Sequence, residues 1–504
     1  MKKSKKRNIL LGPVITIIIL IGIIILTSSI CSLIGLEGQK SEIVNGTIET
    51  HVTTVNNVLT VEGIKYILTS AITNLQLFEP LLLIIASLIA VGIGEASGLF
   101  KAIFTPLKKV KPSIITFLVL FIGIISTFIG EYSYALLLPL VGVMYRYIGR
   151  KPLLGILTVF LGITVGYGTG LFSNYDDLIL GNLTQISATL DVDKDYVFNL
   201  SYASYIMLAS TFILAFVGTI IIEKNLYKKV PKSTIEEDEL VISKKALYYS
   251  NFALIAMILI IIYMLIPGLY ASGLLLGEGN TYIERLFGES APLKEGIVII
   301  SIGVMMVCGF IYGYISKNIK NSNEYSVGLS KNFEGLGYVF VLMFFTAQMV
   351  SLLKWTNLGE VLAVKLIDFV STLPFSGLPL IITMFIVVVL MSILVPSLSD
   401  KWLLAYPIFV PLFMRSNITP DFTQFVFKAA DGIGKAITPM FVYFIVTLAF
   451  LEKYNTKENN KITVFGTLKM LLPCVLLFAG LWLLIIVGWY IIGLPIGIGT
   501  YPTL

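Results

Sequence analysis

Four polar clusters interrupt the apolar sequence of this chain, and their residue types are those that bind ions and small polar ligands. They are Ser126, Thr127, Gly130, Glu131 and Ser133; Gly168, Thr169, Gly170, Ser173, Asn174, Asp176 and Asp177; Ser397, Ser399, Asp400, Lys401 and Trp402; and Lys428, Asp431, Gly432, Gly434 and Lys435. Hydroxyls and unwound backbone carbonyls suit a desolvated cation, whereas lysines and helix N-termini suit a carboxylate. Because burial raises the pKa of a carboxyl group, the acids are also candidates for carrying a coupled proton.

The composition around these clusters is that of a polytopic membrane protein. Of the 504 residues, 56% are hydrophobic and only 13% are charged, whereas about 25% would be charged in a soluble domain. The net charge of +6 is concentrated in short loops, so it indicates orientation in a lipid bilayer and not nucleic-acid binding. The three cysteines and the single histidine, His51, have no metal-ligand spacing. We therefore predict no metal site, no cofactor and no enzymatic activity.

Two of the clusters lie at the centre of segments that are too short for two comfortable membrane crossings. Residues 112–145 contain one charge, Glu131, and residues 378–414 contain only Asp400 and Lys401. Ionisable side chains at membrane depth face a protein interior or a watery cavity. We therefore predict two re-entrant hairpins, the first entering from the cytoplasm and the second from outside. A glycine-interrupted helix follows each hairpin, at 161–181 and 425–450, and a clean helix follows each of those, at 204–222 and 470–492.

This repeated order predicts an all-α polytopic membrane protein with an inverted repeat, which is typical of secondary transporters. The predicted parts are N-terminal scaffold helices in 1–100, a first repeat in 112–222, a cytoplasmic linker in 223–249, further scaffold helices in 250–330 and a second repeat in 335–492. The basic loops predict that the N-terminus is in the cytoplasm and the C-terminus is outside. The predicted location is the cell membrane, meaning the inner or plasma membrane. Residues 36–75 and 182–203 are expected to be outside loops.

Several site residues have a second interpretation that the sequence leaves open. Asp176 and Asp177 are alternatively solvated loop charges, and Trp402 is alternatively a packing residue. Lys428 and Asp431 have the spacing of an ordinary helix ion pair. Whether Lys401 points into the site or extends outward is also open.

Particular stretches of the sequence carry a resemblance to a known family. They are VEGIKYILTSAITN, GIGEASGL, GEYSYALLLPL, NYDDLILG, FFTAQMVSLLKWTNLG, SDKWLLAYPIFVPLF and TPDFTQFVFKAADGIGKAITP. In these the chain resembles the p-aminobenzoyl-glutamate transporter (AbgT) family, within the superfamily that includes divalent-anion/sodium symporters. The resemblance implies nine transmembrane helices with two hairpins, a homodimer, and an elevator-like transport domain that moves against a fixed scaffold.

The resemblance also implies roles for particular residues. The important acidic positions of the two broken helices match Asp176 and Asp431, the serine and tryptophan of the second hairpin match Ser399 and Trp402, and an arginine of the family matches Lys428. The chain departs from the family pattern at three places, which are Glu131 in place of Asp, Gly168-Thr169-Gly170 in place of Ser-Ala-Asn, and Ile433-Gly434-Lys435 in place of Ser-Thr-Asn. These departures remove groups that suit sodium. We therefore hypothesise that the Lys435 ammonium substitutes for a sodium ion.

The function predicted on this basis is secondary active transport of a small amphipathic carboxylate similar to p-aminobenzoyl-glutamate, driven by a proton or sodium gradient. Candidate substrate contacts are Glu131, Tyr132, Asp176, Ser399, Asp400, Lys401, Trp402, Lys428 and Asp431, and candidate coupling residues are Glu131, Ser133, Gly168, Thr169, Asp176, Asp431 and Lys435. Export of sulfonamide-type antimetabolites is compatible with the same fold. The alternatives are a dicarboxylate or amino-acid carrier of the superfamily and, more remotely, a channel or an intramembrane enzyme.

Overall fold

The structure is a computed structural model that describes residues 11–44, 47–231, 239–333, 336–455 and 462–504. Parts of the predicted N-terminal region, of the 223–249 linker and of the loop at 452–461 therefore lie outside the described residues. The first half contains α1 (Pro13–Leu33), β1 (Glu37–Val44), β2 (Thr47–Thr54), α2 (Val61–Gln76), α3 (Glu79–Ala96), α4 (Leu99–Phe104), α5 (Pro112–Ser126), α6 (Tyr132–Tyr147), α7 (Pro152–Val165), α8 (Tyr175–Asp191), α9 (Ser204–Ile221) and α10 (Tyr227–Lys229).

The regular elements of the second half are helices, within the residues that the structure describes. It contains α11 (Lys244–Leu265), α12 (Tyr282–Phe287), α13 (Pro292–Ser316), α14 (Ser322–Ser330), α15 (Gly337–Trp355), α16 (Leu358–Thr372), α17 (Gly377–Leu394), α18 (Leu398–Arg415), α19 (Pro420–Lys435), α20 (Val442–Lys453) and α21 (Val464–Ile492). Within the described ranges, nine helical segments are long and apolar enough to cross a membrane. The prediction of a mostly helical membrane protein with about nine apolar helices is confirmed.

Two stretches differ from the sequence-based expectation. Residues 36–75 are not a loop, because β1 and β2 pair as an antiparallel hairpin and α2 follows. The chain is therefore not strictly all-α. Residues 182–203 are only partly a loop, because α8 continues to Asp191. The described residues of 36–75 are polar and largely exposed, and those of 182–203 are polar and partly buried. Both stretches therefore lack the long apolar run that identifies a membrane helix in a sequence.

The predicted order of the two repeats is present in the described chain. A helical hairpin (α5–α6) is followed by a broken helix (α7 and α8) and by α9, and a second hairpin (α17–α18) is followed by a second broken helix (α19 and α20) and by α21. In both repeats the first hairpin arm packs against the first half of the broken helix, as α5 on α7 and α17 on α19. One continuous apolar core joins these elements.

The two hairpins begin at opposite ends of the molecule. At the base of α5, Arg150 donates to the carbonyl oxygen of Pro112 over 2.8 Å and pairs with Glu223, which follows α9. The base of α17 lies beside Tyr490, near the end of α21, and the residues after α21 return to the start of α9, where Tyr205 N–H donates to Ile496 O over 2.9 Å. The tips of the two hairpins therefore approach each other from opposite directions.

Candidate functional site

The two broken helices cross where glycines remove side-chain bulk. The first break spans residues 166–174 and the second spans 436–441. A Cβ atom on Gly168 would lie 2.5 Å from the Cα atom of Ala429, and one on Gly432 would overlap the carbonyl oxygen of Thr164. Gly170 also has a φ of +155°, which non-glycine residues rarely adopt. The glycines therefore permit the close crossing that brings both breaks to one place.

The tips of both hairpins lie near the crossing of the two broken helices. At the tip of the first hairpin, Gly130 has a φ of +62°, and the buried Ser133 hydroxyl lies 2.5 Å from Ser126 O and 2.7 Å from Gly130 O. At the tip of the second hairpin, the hydroxyl oxygen of Ser397 accepts the Asp400 N–H over 3.2 Å and caps α18. Ser397 and Ser399 at the N-terminus of α18 line the same cavity as Gly130 and Glu131 at the tip of the first hairpin.

A cavity of about 410 Å³ lies between the two tips, and we call it the main cavity. Its charged and polar lining residues are Glu79, Glu131, Asn174, Asp176, Lys294, Ser397, Ser399 and Lys435. Its rings come from Phe128, Tyr132, Tyr167, Tyr175, Phe287 and Tyr443. The cavity thus combines aromatic surface with charges of both signs, which is the lining that an amphipathic ligand needs.

A second cavity of about 460 Å³, the side cavity, adjoins the first. Both cavities are lined by Glu131, Ser397 and Tyr443. Asp400 lies in the side cavity, together with Lys354. Glu131 lines both cavities, and it shares the lining of the main cavity with Tyr443, Lys435 and Asp176.

Asp431 forms a buried cluster behind the main cavity. Its carboxylate pairs with the ammonium of Lys401 and, over 2.8 Å, with that of Lys435, and it accepts the Ser392 hydroxyl over 2.9 Å. Lys401 and Asp431 have no exposed side-chain surface. Lys401 therefore points into the protein and does not extend outward. Two ammonium groups pair with the single carboxylate of Asp431.

Asp177 forms a second buried cluster, which joins the two repeats. The Lys428 ammonium lies 2.8 Å from Asp177 Oδ2 and 3.2 Å from Asn174 Oδ1, and the Tyr202 hydroxyl donates to Asp177 Oδ1 over 2.9 Å. Asn174 also donates to Thr127 O at the tip of the first hairpin, over 3.1 Å. Asp177 is therefore not a solvated loop charge, and Lys428 pairs across the repeats instead of with Asp431.

The remaining predicted site residues divide into those at a cavity and those turned away from it. Asp176 lines the main cavity and accepts a hydrogen bond from the Tyr167 hydroxyl. The Thr169 hydroxyl faces α9, 2.7 Å from Ser210 Oγ and 2.8 Å from Thr211 Oγ1. Trp402 is fully buried, and its indole N–H donates to Leu180 O over 3.1 Å.

Of the predicted residues, the two cavities are lined by Glu131, Tyr132, Asp176, Ser399, Asp400 and Lys435. The other predicted residues are buried beside the cavities and do not line them. They are Lys401, Trp402, Lys428, Asp431, Ser133, Gly168 and Thr169. Sequence reasoning did not include Lys294, Tyr443 or Glu79 among the site residues, although all three line the main cavity. Lys294 follows a polar stretch at the start of a helix, and only its contact with the distant α8 shows that it belongs to the site.

The whole chain matches a known protein family. Its residues 4–504 match the model described as "AbgT putative transporter family". The chain belongs to the AbgT family. It is therefore a multi-pass membrane transporter, and the resemblance deduced from the motifs is confirmed.

Other AbgT-family proteins show how similar this member is to characterised relatives. The p-aminobenzoyl-glutamate transport protein of Escherichia coli (strain K12) is 27% identical over 495 residues, covering 98% of this chain and 94% of that protein. The YdaH transporter of Alcanivorax borkumensis, whose crystal structure is described as having an unusual topology, is 22% identical with a TM-score of 0.49, covering 97% of this chain and all (100%) of that one. MtrF of Neisseria gonorrhoeae, described as illuminating a class of antimetabolite efflux pumps, is 28% identical with a TM-score of 0.48 and 98% coverage of both chains.

Proposed function

We propose that this transporter is a secondary active carrier of a small amphipathic carboxylate similar to p-aminobenzoyl-glutamate. The observation that carries the proposal is the main cavity, in which six aromatic side chains and groups of both charges meet between the two hairpin tips. Rings suit an aryl group, and the N-terminus of α18 with its serines suits a carboxylate. The E. coli relative named for p-aminobenzoyl-glutamate transport supports the same substrate class.

We propose that the hairpins are re-entrant and that the two repeats move as an elevator-like unit against a scaffold that includes α3, α11 and α13. The main cavity is lined by Glu79 at the start of α3. The side cavity is lined by Pro80 of α3 and by Lys354 near the end of α15. At the other end of α3, Glu95 pairs with Arg146 of α6 over 2.8 Å. This ion pair connects the proposed scaffold to the proposed moving part and closes the passage between them at that end of α3. The chain is a carrier in the inner or plasma membrane, with the N-terminus in the cytoplasm and the C-terminus outside, and it is a homodimer.

Coupling to protons is the part of the proposal that follows from the Asp431 cluster. A sodium ion requires several oxygen ligands, but the Asp431 carboxylate is already occupied by two ammonium groups. Lys435 thus supplies the positive charge that sodium would otherwise supply. Glu131 and Asp176, which line the main cavity, are the groups that carry the coupled proton.

An amino-acid carrier is the second candidate, because three carboxyl groups line the main cavity. Glu79, Glu131 and Asp176 would suit a ligand that carries an ammonium group as well as a carboxylate. Export of sulfonamides is a related possibility, since these molecules carry an aryl amine and the MtrF relative is described as an antimetabolite efflux pump.

Counterflow in proteoliposomes tests the proposed function. Vesicles loaded with unlabelled p-aminobenzoyl-glutamate are diluted into a trace of labelled substrate without any ion gradient. A carrier accumulates the label transiently, whereas a channel only equilibrates it. Absence of counterflow with this substrate, together with counterflow of a zwitterionic amino acid, would replace the first candidate with the second.

A further inference from the structure

We propose that Lys294 of α13 binds one of the two substrate carboxylates, and that it does so only while the main cavity is open on the side where α13 begins. This inference rests on the proposed function, since it names the contact that recognises the anionic part of the substrate. Lys294 was not among the residues that the sequence motifs single out.

The first argument is that the three lysines of the two buried clusters are already engaged. Lys401 and Lys435 pair with Asp431, and Lys428 pairs with Asp177. All three are buried, so withdrawing one of them to bind a ligand would leave a buried carboxylate without its counter-charge, which is strongly unfavourable. These ammonium groups therefore hold the fold and are not free to bind substrate.

Lys294 differs from them in its surroundings. It lines the main cavity, is half-buried, and makes no ion pair with any carboxylate in the described parts of the chain. Its ammonium group lies 5.6 Å from the ring centroid of Tyr175, the first residue of α8. A cation that rests on an aromatic face beside a cavity remains available to an anion entering that cavity.

The position of Lys294 within its helix supports the same role. It is in the first turn of α13, whose first residue is Pro292. A positive side chain there faces the positive end of the helix dipole, so the location does not stabilise α13 by itself. A carboxylate bound at this point gains from both the ammonium group and the helix N-terminus. The first turn of α13 also contains Glu295, which is exposed and does not line the main cavity.

Because Lys294 lies on α13, its contact with the substrate forms on only one side of the membrane during the transport cycle. α13 packs on α3 and α11, in the part proposed as scaffold. Tyr175 and Asp176 belong to α8, in the part proposed to move. When the moving part carries the substrate away, Lys294 stays behind. It therefore contributes to substrate affinity on one side of the membrane and not on the other.

The test compares Lys294→Met and Lys294→Arg with Lys365→Met, in proteoliposomes whose carrier orientation is fixed. Lys365 is an exposed lysine on α16 that lines neither cavity, so it is the matched control. The KM of p-aminobenzoyl-glutamate is measured from each side, and so is the KM of p-aminobenzoate, which lacks the glutamate carboxylates. Detergent-solubilised samples are checked for unfolding temperature.

The expected result is that Lys294→Met raises the KM of p-aminobenzoyl-glutamate about tenfold or more from one side only, since a charged hydrogen bond is lost. Lys294→Arg should restore most of the affinity, p-aminobenzoate should be less affected, and Lys365→Met should behave as wild type. An equal rise from both sides would contradict the scaffold placement. An unchanged KM, or a lower unfolding temperature alone, would show that Lys294 only packs on Tyr175. If wild type carries neither compound, the proposed function fails, independently of any Lys294 variant.

Discussion

Lys401 and Asp431, on different helices of the second repeat, form an ion pair in which neither side chain has exposed surface. Lys401 lies in α18 and Asp431 in α19, so the pair connects the second hairpin to the second broken helix. Lys435 adds a second positive charge to the same carboxylate, 2.8 Å away. The tip of the second hairpin is therefore tied to the helix break by charge as well as by packing.

Asp431→Asn should lower the stability of the protein substantially. The substitution keeps the size of the side chain but leaves Lys401 and Lys435 without a counter-charge, and breaking a buried pair in this way costs about 3–5 kcal/mol. Thermal unfolding in detergent measures the effect. Asp400→Asn, which changes the exposed neighbour of Lys401, is the control. It should lower the free energy of unfolding by no more than about 0.5 kcal/mol. Equal unfolding temperatures for the two variants would contradict the proposed role of the cluster.

Trp402→Ala should destabilise the protein in addition to impairing transport. The ring is fully buried and packs against Phe427 in a tilted arrangement, with the ring centroids 4.5 Å apart. Removing a buried tryptophan lowers the free energy of unfolding by about 3–5 kcal/mol. Trp402→Phe retains most of the packing but loses the indole N–H, which donates to Leu180 O and to Thr184 Oγ1. It should therefore lower the free energy of unfolding by about 1 kcal/mol. If Trp402→Ala loses transport with an unchanged unfolding temperature, the ring contacts substrate directly.

Gly432→Ala should disturb the crossing of the two broken helices. A methyl group there would overlap the Thr164 carbonyl oxygen, which is backbone and cannot turn aside. We expect a loss of both stability and transport. Gly480→Ala in α21 is the matched control, because nothing lies within 4 Å of its Cβ position. Alanine should be neutral there or stabilise the helix by up to about 1 kcal/mol. Similar behaviour of the two variants would argue against a tight crossing.

Glu131→Gln should separate coupling from transport. If Glu131 carries the coupled proton, glutamine cannot release or bind it, but the cavity keeps its shape. Counterflow without a gradient should continue, while accumulation driven by a pH gradient should be lost. Glu62→Gln, an exposed change on α2, should retain both activities. Full pH-driven accumulation by Glu131→Gln would assign the proton to another group, with Asp176 the next to test.

The sequence predicted the hairpins and the helix breaks because these features are local. Single charges in long apolar runs marked the tips at Glu131 and at Asp400–Lys401. Clustered glycines marked the first break, which contains Gly168 and Gly170, whereas Gly432 and Gly434 lie within α19 and the second break follows them at 436–441. The β1–β2 hairpin and α2 were not predicted, since their pattern is polar and their burial is slight.

Pairing between distant residues could not be read from spacing. Lys428 and Asp431 are three residues apart and were a plausible helix pair, yet Lys428 binds Asp177 from the other repeat. The same reason explains the omission of Lys294, whose role depends on Tyr175 across the main cavity. Domain limits, the dimer and the elevator-like motion stay predictions from the sequence.

Uptake of labelled p-aminobenzoyl-glutamate into proteoliposomes, with sodium and pH gradients imposed separately, tests the central claim most directly. The Asp431 cluster, with Lys435 in place of a sodium ion, predicts accumulation that follows the pH gradient and persists without sodium. Lys435→Asn provides the companion measurement, since removing the ammonium group should introduce sodium dependence. Uptake by the wild type that requires a sodium gradient and ignores the pH gradient would contradict the account.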